Sequence, residues 1–208
     1  MRAMTLMTLA PALILMTAGC TAPTIVNTDE PRPSAASGPS TTAAPALNTT
    51  NLVNAFDYGA PVDAVTHYFF TTPSGRWQCA IVPRVQAGCQ PADGADLDVP
   101  GAPDTVLDAT GEETAPNAIV LTRDGDAAFA AVEDTAFVPE PGPAVELRFN
   151  EVLAVAGFRC NVQEASGISC LSERSGKGFA FSTEAFEPRY VEVPAGAAVA
   201  STTTSTGR

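Results

Sequence analysis

Two copies of one cysteine spacing constrain the fold of this chain more than any other feature of its sequence. Cys79 and Cys89 are separated by nine residues, and so are Cys160 and Cys170. Residues that face each other across two antiparallel strands have Cα atoms ~4.5–5.5 Å apart, a distance that a disulfide can bridge. We therefore predict two β-hairpins of the same design, each closed by its own disulfide.

Equal spacing is what selects this pairing. Four cysteines permit three connectivities, and the loop entropies of the alternatives, ~3 and ~4.5 kcal/mol, are too similar to choose between them. Trp77 in one copy and Phe158 in the other precede the first cysteine by two residues, on the same strand face. The first hairpin then places Ile81 opposite Ala87. A zinc site is the other use of four cysteines, but the C-x₂-C spacing of zinc knuckles is missing, so we expect no metal and no other cofactor.

Short alternating segments, with turn residues between them, fill the chain from residue 65 to residue 192. Residues 117–132 predict a hairpin around Asp124-Gly125, a dipeptide that favours the tight turns of antiparallel strands. The sequence lacks a convincing amphipathic helix periodicity. We predict an all-β domain over residues 65–192, a small disulfide-stapled sandwich or partly open barrel made of two related hairpin halves.

The N-terminus predicts export and a lipid anchor. Residues 3–16 form an apolar run after Arg2 that is shorter than the ~20 residues needed to span a membrane, as in a signal peptide. Thr17-Ala18-Gly19 before Cys20 resembles a bacterial lipobox, in which the cysteine thiol is acylated. Ordinary cleavage is the alternative, but it leaves an odd reactive thiol in an exported protein. We expect residues 1–19 to be removed and Cys20 to anchor the protein by its acyl chains on the outer face of the cell membrane.

Composition separates the domain from its flanks and disfavours some partners. Residues 20–64 are rich in Thr, Ala, Pro, Ser and Asn and predict a disordered tether, and residues 193–208 predict a disordered tail.

The chain has a formal net charge of −12. Such a surface disfavours nucleic acids and anionic lipid headgroups, because both need clustered Lys and Arg. We expect contact with the membrane through the lipid anchor, and an envelope protein or polymer as the binding partner.

Three blocks between residues 67 and 187 combine aromatic residues, glycines and the paired cysteines. Together they resemble an uncharacterised family of actinobacterial secreted proteins and lipoproteins. The resemblance implies an extracytoplasmic location and a disulfide-stapled all-β fold. It implies no activity, because none is assigned to the family. The blocks are Phe70-Thr-Thr-Pro73-Ser74-Gly75 with Cys79 and Cys89, Phe129 with Asp134-Thr135, and Gly157-Phe158-x-Cys160 with Gly167-Ile168-x-Cys170 and Gly176-x-Gly178-Phe179-x-Phe181-Ser182.

The sequence contains no recognisable catalytic constellation. His67 is the single histidine, and we interpret it as a strand aromatic beside Tyr68 rather than as a general base, because no nucleophile is positioned for it. The G-x-S-x-G and S-x-x-K motifs of acyl transfer are missing. Asp93, Asp96 and Asp98 do not follow the carboxylate spacing of an EF-hand. We therefore predict no catalytic residue and no metal site.

Three arginines form the predicted binding patch. Arg76, Arg159 and Arg174 lie in or beside the two hairpins, and they would cluster if the hairpins packed as a pseudo-symmetric pair. Guanidinium groups in such a patch would bind a small anion or a protein surface. We therefore predict a non-enzymatic envelope-binding module. The alternatives are a secreted hydrolase whose site the sequence does not mark, and a protease-inhibitor-like module that presents residues 83–86 as a rigid exposed loop.

Overall fold

Strands joined by short turns account for the regular structure in the computed structural model, which describes residues 47–95, 97–140 and 142–199. These residues contain fourteen strands, one 3-10 turn and no α-helix. The 3-10 turn spans Ala55–Tyr58, and the strands are β1 (Gly59–Val62), β2 (Val65–Thr71), β3 (Trp77–Val82), β4 (Gln86–Pro91), β5 (Val106–Leu107), β6 (Glu113–Thr114), β7 (Ala118–Thr122), β8 (Ala127–Ala130), β9 (Val145–Glu146), β10 (Val152–Val155), β11 (Phe158–Gln163), β12 (Gly167–Ser172), β13 (Gly178–Phe181) and β14 (Phe186–Glu187).

The strands form two large sheets and one small one. Sheet 1 has the strand order β1-β2-β3-β4-β7-β8, and β9 pairs with β2 in parallel. Sheet 2 has the order β10-β11-β12-β13-β14, and all its pairs are antiparallel. Strands β5 and β6 form a separate pair. Most strands therefore pair with the next strand in the chain, as expected for hairpins with short turns.

The inner faces of sheets 1 and 2 pack against each other around one apolar core. Trp77 of sheet 1 meets Phe181 of sheet 2 edge-to-face, with ring centroids 4.7 Å apart. Of the two predicted architectures, sandwich or partly open barrel, the chain adopts the sandwich. Matching rows of fully buried residues cross the two sheets: Phe70, Cys79, Cys89 and Ile119 in sheet 1, and Leu153, Cys160, Cys170 and Phe179 in sheet 2.

Both predicted disulfides are present. Cys79–Cys89 joins β3 to β4 with Cα atoms 4.0 Å apart, and Cys160–Cys170 joins β11 to β12 with Cα atoms 4.1 Å apart. Ile81 faces Ala87, which is the register that the spacing predicted. All four cysteines are fully buried. The staples therefore belong to the core between the sheets and are shielded from solvent.

Sheet 1 has an apolar outer face. Phe69, Ala80 and Val120 pack there against Phe137, which comes from the connection between β8 and β9 and is fully buried. Gly88 makes room for the Phe137 ring, because a Cβ at this position would lie 2.6 Å from the ring's Cζ atom. Sheet 1 is therefore covered on both faces, by sheet 2 on one side and by a connecting segment on the other.

Sheet 2 has a polar outer face, and residues 188–199, here called the C-terminal strap, lie across it. Asn161 Nδ2 donates to Val191 O and to Tyr190 Oη, both at 3.0 Å, and Val191 N donates to Ser169 Oγ at 2.8 Å. The side chains of Asn161 and Ser169 are fully buried. Because a buried polar group without a partner is costly, these bonds explain how a polar sheet face can be covered.

The folded domain extends beyond the predicted limits of 65–192. Residues 47–64, predicted as part of the tether, contain the 3-10 turn and β1, and Asn48 Nδ2 donates to Val193 O at 3.1 Å. Val193 is fully buried, although it falls in the predicted tail. These boundaries were wrong because both segments are held by hydrogen bonds and carry no periodic apolar pattern. The rest of the tether and tail, the signal peptide and Cys20 lie outside the described residues.

Candidate functional site

His67 lies on strand β2. It is opposite Ala60 of β1, and its ring centroid is 6.1 Å from that of Phe69. Partial burial lowers the pKa of His67, and the charge of nearby Asp63 opposes this shift. Neither cavity described below is lined by His67. Within the described residues, no group of three or more His, Cys, Asp or Glu side chains could hold a metal ion.

The three arginines of the predicted patch lie apart. Arg76 precedes β3 at one end of the sandwich, and Arg174 follows β12 at the other end, beside the turn that follows β3. Arg159 is buried on the outer face of sheet 2, where its Nη1 donates to Asn48 O at 2.9 Å and its Nε lies 3.7 Å from Glu173 Oε1. The expected patch therefore does not form, because the length of β3 separates two of its members and the third is covered.

A different group of cations gathers at the end of the sandwich where four hairpin turns meet. We call these turns together the basic end. The turns are β3–β4 (83–85), β7–β8 (123–126), β10–β11 (156–157) and β12–β13 (173–177). Their four cations are Arg84, Arg123, Arg174 and Lys177. Antiparallel hairpins bring them together, because alternate turns of a sheet lie at the same end.

Hydrogen bonds join the turns of the basic end to one another. Arg84 N donates to Ala156 O at 3.1 Å, and Arg123 N donates to Val85 O at 2.9 Å. The carbonyl oxygen of Arg123 accepts a hydrogen bond from Ser172 Oγ at 2.6 Å. The backbones of both arginines are therefore fixed by neighbouring elements. Such preorganisation reduces the entropy that is lost when a ligand binds.

Each carboxylate of the basic end already has a cationic partner. Asp124 Oδ1 accepts from Arg174 Nε at 2.7 Å, and Asp126 Oδ1 lies 3.0 Å from Lys177 Nζ. Glu173 pairs with a cation outside the four turns. The carboxylates of Asp124 and Asp126 are therefore occupied by the two cations of the β12–β13 turn.

Arg84 and Arg123 are the surplus cations of the basic end. Among the described residues, neither forms an ion pair with a carboxylate. Both line a cavity of about 220 Å³, together with Arg174. The fully buried Phe158 and the backbone turn at Ala156 and Gly157 complete its lining. In a chain with a net charge of −12, this arrangement concentrates positive charge at one point and is suited to holding an anion.

Arg84 and Arg123 were not predicted, because the predicted patch was chosen from arginines in or beside the two stapled hairpins that would meet if the hairpins packed as a symmetric pair. The signal that could have found them is topological. Arg84 lies in the turn of the first stapled hairpin, and Arg123 directly precedes the Asp124-Gly125 turn of the next hairpin in sheet 1. Because β4 pairs with β7, these two turns must lie at the same end of the sheet.

An open groove of about 300 Å³ lies at the opposite end of the sandwich. Trp77, Phe149 and Phe181 are among the aromatic side chains that line it. Arg76 is the one cation of this lining, and Glu164 is the one carboxylate. The groove is therefore mainly apolar and has no concentration of charge comparable to that of the basic end.

Comparisons of the chain with protein-family models, with curated protein sequences and with solved structures found no match. The family resemblance described above therefore stays a prediction. Among the residues that the structure describes, no helix has the length and apolarity required to cross a membrane.

Proposed function

We propose that this protein is a lipid-anchored extracytoplasmic binding module that captures an acidic partner in the cell envelope through its basic end. One observation carries the proposal: Arg84 and Arg123 line the same cavity and have no carboxylate partner among the described residues. The rest of the chain is strongly acidic. An acidic partner is therefore repelled elsewhere and attracted to this end, which orients the encounter.

Chemistry and sequence support the extracytoplasmic location. Disulfides form and persist in oxidising compartments, and the domain contains two. The apolar leader of residues 1–19 and the Thr17-Ala18-Gly19-Cys20 sequence support export and acylation at Cys20. Two or more acyl chains give stable anchoring, whereas one chain binds a membrane only reversibly.

A hydrolase and a protease inhibitor fit the geometry less well. A hydrolase needs a nucleophile or an acid pair beside a positioned base, and His67 lines neither the cavity nor the groove. An inhibitor loop has to stand clear of the fold to enter a protease. The predicted inhibitor loop, residues 83–86, is instead held by backbone hydrogen bonds to the β10–β11 and β7–β8 turns.

Retention of envelope material on the immobilised full-length protein tests the binding function. We expect Arg84→Gln/Arg123→Gln to reduce retention at least about tenfold, which corresponds to ~1.4 kcal/mol of binding free energy. Arg76→Gln/Arg189→Gln is the matched control, because it removes the same charge from positions outside the basic end. Equal retention by both variants and the natural protein would contradict the proposal, and equal loss by both would indicate a general charge effect instead.

The anchor is tested separately by intact-mass measurement of the protein extracted from the membrane fraction. We expect a chain that begins at Cys20 and carries the mass of at least two acyl chains. Cys20→Ser should move the protein from the membrane fraction to the soluble fraction. An unmodified Cys20, or cleavage at another bond, would refute the anchor and leave the binding function of the basic end unaffected.

A further inference from the structure

Building on the function proposed above, we infer that the cavity of the basic end holds one carboxylate or phosphate group between Arg84 and Arg123. We infer further that Asp124 competes with this group for Arg174. The partner must then present a carboxylate or a phosphate group. A variant that lacks the charge of Asp124 should bind this group more tightly than the natural protein does.

The cations that line the cavity define the ligand group. A guanidinium group is planar and donates paired hydrogen bonds that match the oxygen atoms of a carboxylate or a phosphate. Three guanidinium-bearing residues, Arg84, Arg123 and Arg174, line one cavity of about 220 Å³. This volume accommodates one such group with part of the chain that carries it.

The remaining walls of the cavity favour a tightly held charge. Phe158 borders the cavity and is fully buried, so the apolar core begins directly beneath the cavity. Charge interactions are stronger beside an apolar wall than in bulk water. At the neighbouring turn, a Cβ on Gly157 would meet no atom within 4 Å, so the space beside this turn is open. A ligand therefore finds an accessible entrance and three arginines on backbone turns that border the apolar core.

Asp124 already supplies a carboxylate to one of the guanidinium groups of the cavity. Its Oδ1 atom lies 2.7 Å from Arg174 Nε, and the side chains of Arg174 and Asp124 are 57% and 69% exposed. An ion pair with this exposure is weak and can be exchanged for another. An arriving anion therefore competes with Asp124 for Arg174, while Arg84 and Arg123 are already available to it. Neutralising Asp124 removes both the competition and the charge repulsion.

Titration of the full-length protein with inorganic phosphate, and separately with sodium acetate, tests the inference. The Nε–Hε signals of the arginine side chains report which guanidinium group meets the anion. At constant ionic strength we expect saturable shifts for Arg84 and Arg123 with at least one anion, and little shift for Arg76 at the opposite end of the sandwich. Asp124→Asn should lower the dissociation constant about two- to fivefold. Arg84→Gln/Arg123→Gln should abolish the saturable shifts while the amide spectrum stays dispersed.

Two results would overturn the inference. The cavity is not an anion site if neither anion shifts the Arg84 and Arg123 signals more than that of Arg76. Competition by Asp124 is refuted if Asp124→Asn leaves the affinity unchanged or weakens it. These failures are distinguishable from failure of the proposed function. Loss of envelope retention in Arg84→Gln/Arg123→Gln without any anion titration would sustain the function and refute the inference, and saturable anion binding without a retained partner would do the reverse.

Discussion

The two stapled hairpins are alike on the side that faces the core and different on the side that faces outward. Inward, each disulfide is flanked by large apolar residues on the neighbouring strands, Phe70 and Ile119 in sheet 1 and Leu153 and Phe179 in sheet 2. Each row is fully buried. Each hairpin with the repeated cysteine spacing therefore contributes the same unit to the shared core, a disulfide between two large apolar residues.

Outward, the two hairpins need different covers. The first is covered by the apolar ring of Phe137, for which Gly88 leaves space. The second is covered by the hydrogen-bonded C-terminal strap, for which Gly178 leaves space, since a Cβ there would lie 2.9 Å from Tyr190 N. The repeated hairpin therefore determines its inner face, whereas residues outside the repeat determine how its outer face is closed.

Removal of the apolar cover should have the largest effect. Phe137 is fully buried, so Phe137→Ala loses its apolar contacts and leaves a cavity, and we expect a loss of about 4 kcal/mol in the free energy of unfolding. Phe56→Ala is the control, because Phe56 is 91% exposed and should cost less than ~0.5 kcal/mol. Urea unfolding monitored by Trp77 fluorescence measures both. A loss below ~1 kcal/mol for Phe137→Ala would show that this cover is dispensable.

Removal of the staples tests whether the hairpins are energetically equal. Cys79→Ala/Cys89→Ala and Cys160→Ala/Cys170→Ala each open a loop with a sequence separation of 10, so each should cost about 3 kcal/mol. Urea unfolding of the two double variants under identical conditions gives the comparison. Costs that differ by more than ~1.5 kcal/mol would mean that the unlike covers, and not the shared staple, dominate the stability of each half.

Filling the two glycine spaces compares the covers directly. Gly88→Ala pushes against the Phe137 ring, and Gly178→Ala pushes against the backbone of Cys170 and of the strap, so each should cost about 2 kcal/mol. Gly176→Ala is the control for the second site: it has a φ of +71° and no atom near its added Cβ, and it should cost about 1 kcal/mol. Limited proteolysis should release the strap faster in Gly178→Ala only. Equal proteolysis of all three variants would argue against this role of Gly178.

The smallest effect concerns one hydroxyl group of the strap. Tyr190→Phe removes the acceptor of Asn161 Nδ2 and should cost about 1 kcal/mol at pH 7. Burial, aided by the charge of Glu192, raises the pKa of Tyr190 from 10 to about 12. Because the fold favours the neutral phenol, this stabilisation is complete below pH 10 and is lost as the pH rises from 10 to 12. Unfolding midpoints between pH 9 and 12 should fall less steeply for Tyr190→Phe, and an unchanged slope would contradict the assignment.

The core of this fold was predictable because its residues follow a period of two around fixed staples. Cys79 and Ile81 alternate with smaller or polar residues, and the equal cysteine spacing sets the register without knowledge of distant contacts. Asp124-Gly125 likewise marks the β7–β8 turn within the chain itself. Each of these signals lies within a short stretch of sequence, so each can be recognised from the sequence alone.

The covers and the basic end were not predictable in this way. The strap reaches its partners from 22 to 30 residues away through single hydrogen bonds, which leave no periodic pattern in the sequence. Arg159 was predicted to belong to a binding patch, because the pattern of its own strand does not show that Asn48 and Glu173 contact its side chain. Arg174 was predicted as a binding residue, but its companions in the cavity, Arg84 and Arg123, come from turns whose meeting depends on the order of strands in the two sheets.

The hydrogen bonds that join Asn48 to the C-terminal strap have a mechanical consequence. With the anchor proposed at Cys20, a pull from the membrane would load the bonds of Asn48 to Glu192 and to Val193, which tie the N-terminal part of the described domain to the C-terminal strap. Within each stapled hairpin, the residues between the two cysteines cannot be pulled out, because the disulfide closes that loop. Under tension the domain should therefore yield first at its termini, and the turn that carries Arg84 should keep its shape because it lies inside the Cys79–Cys89 loop.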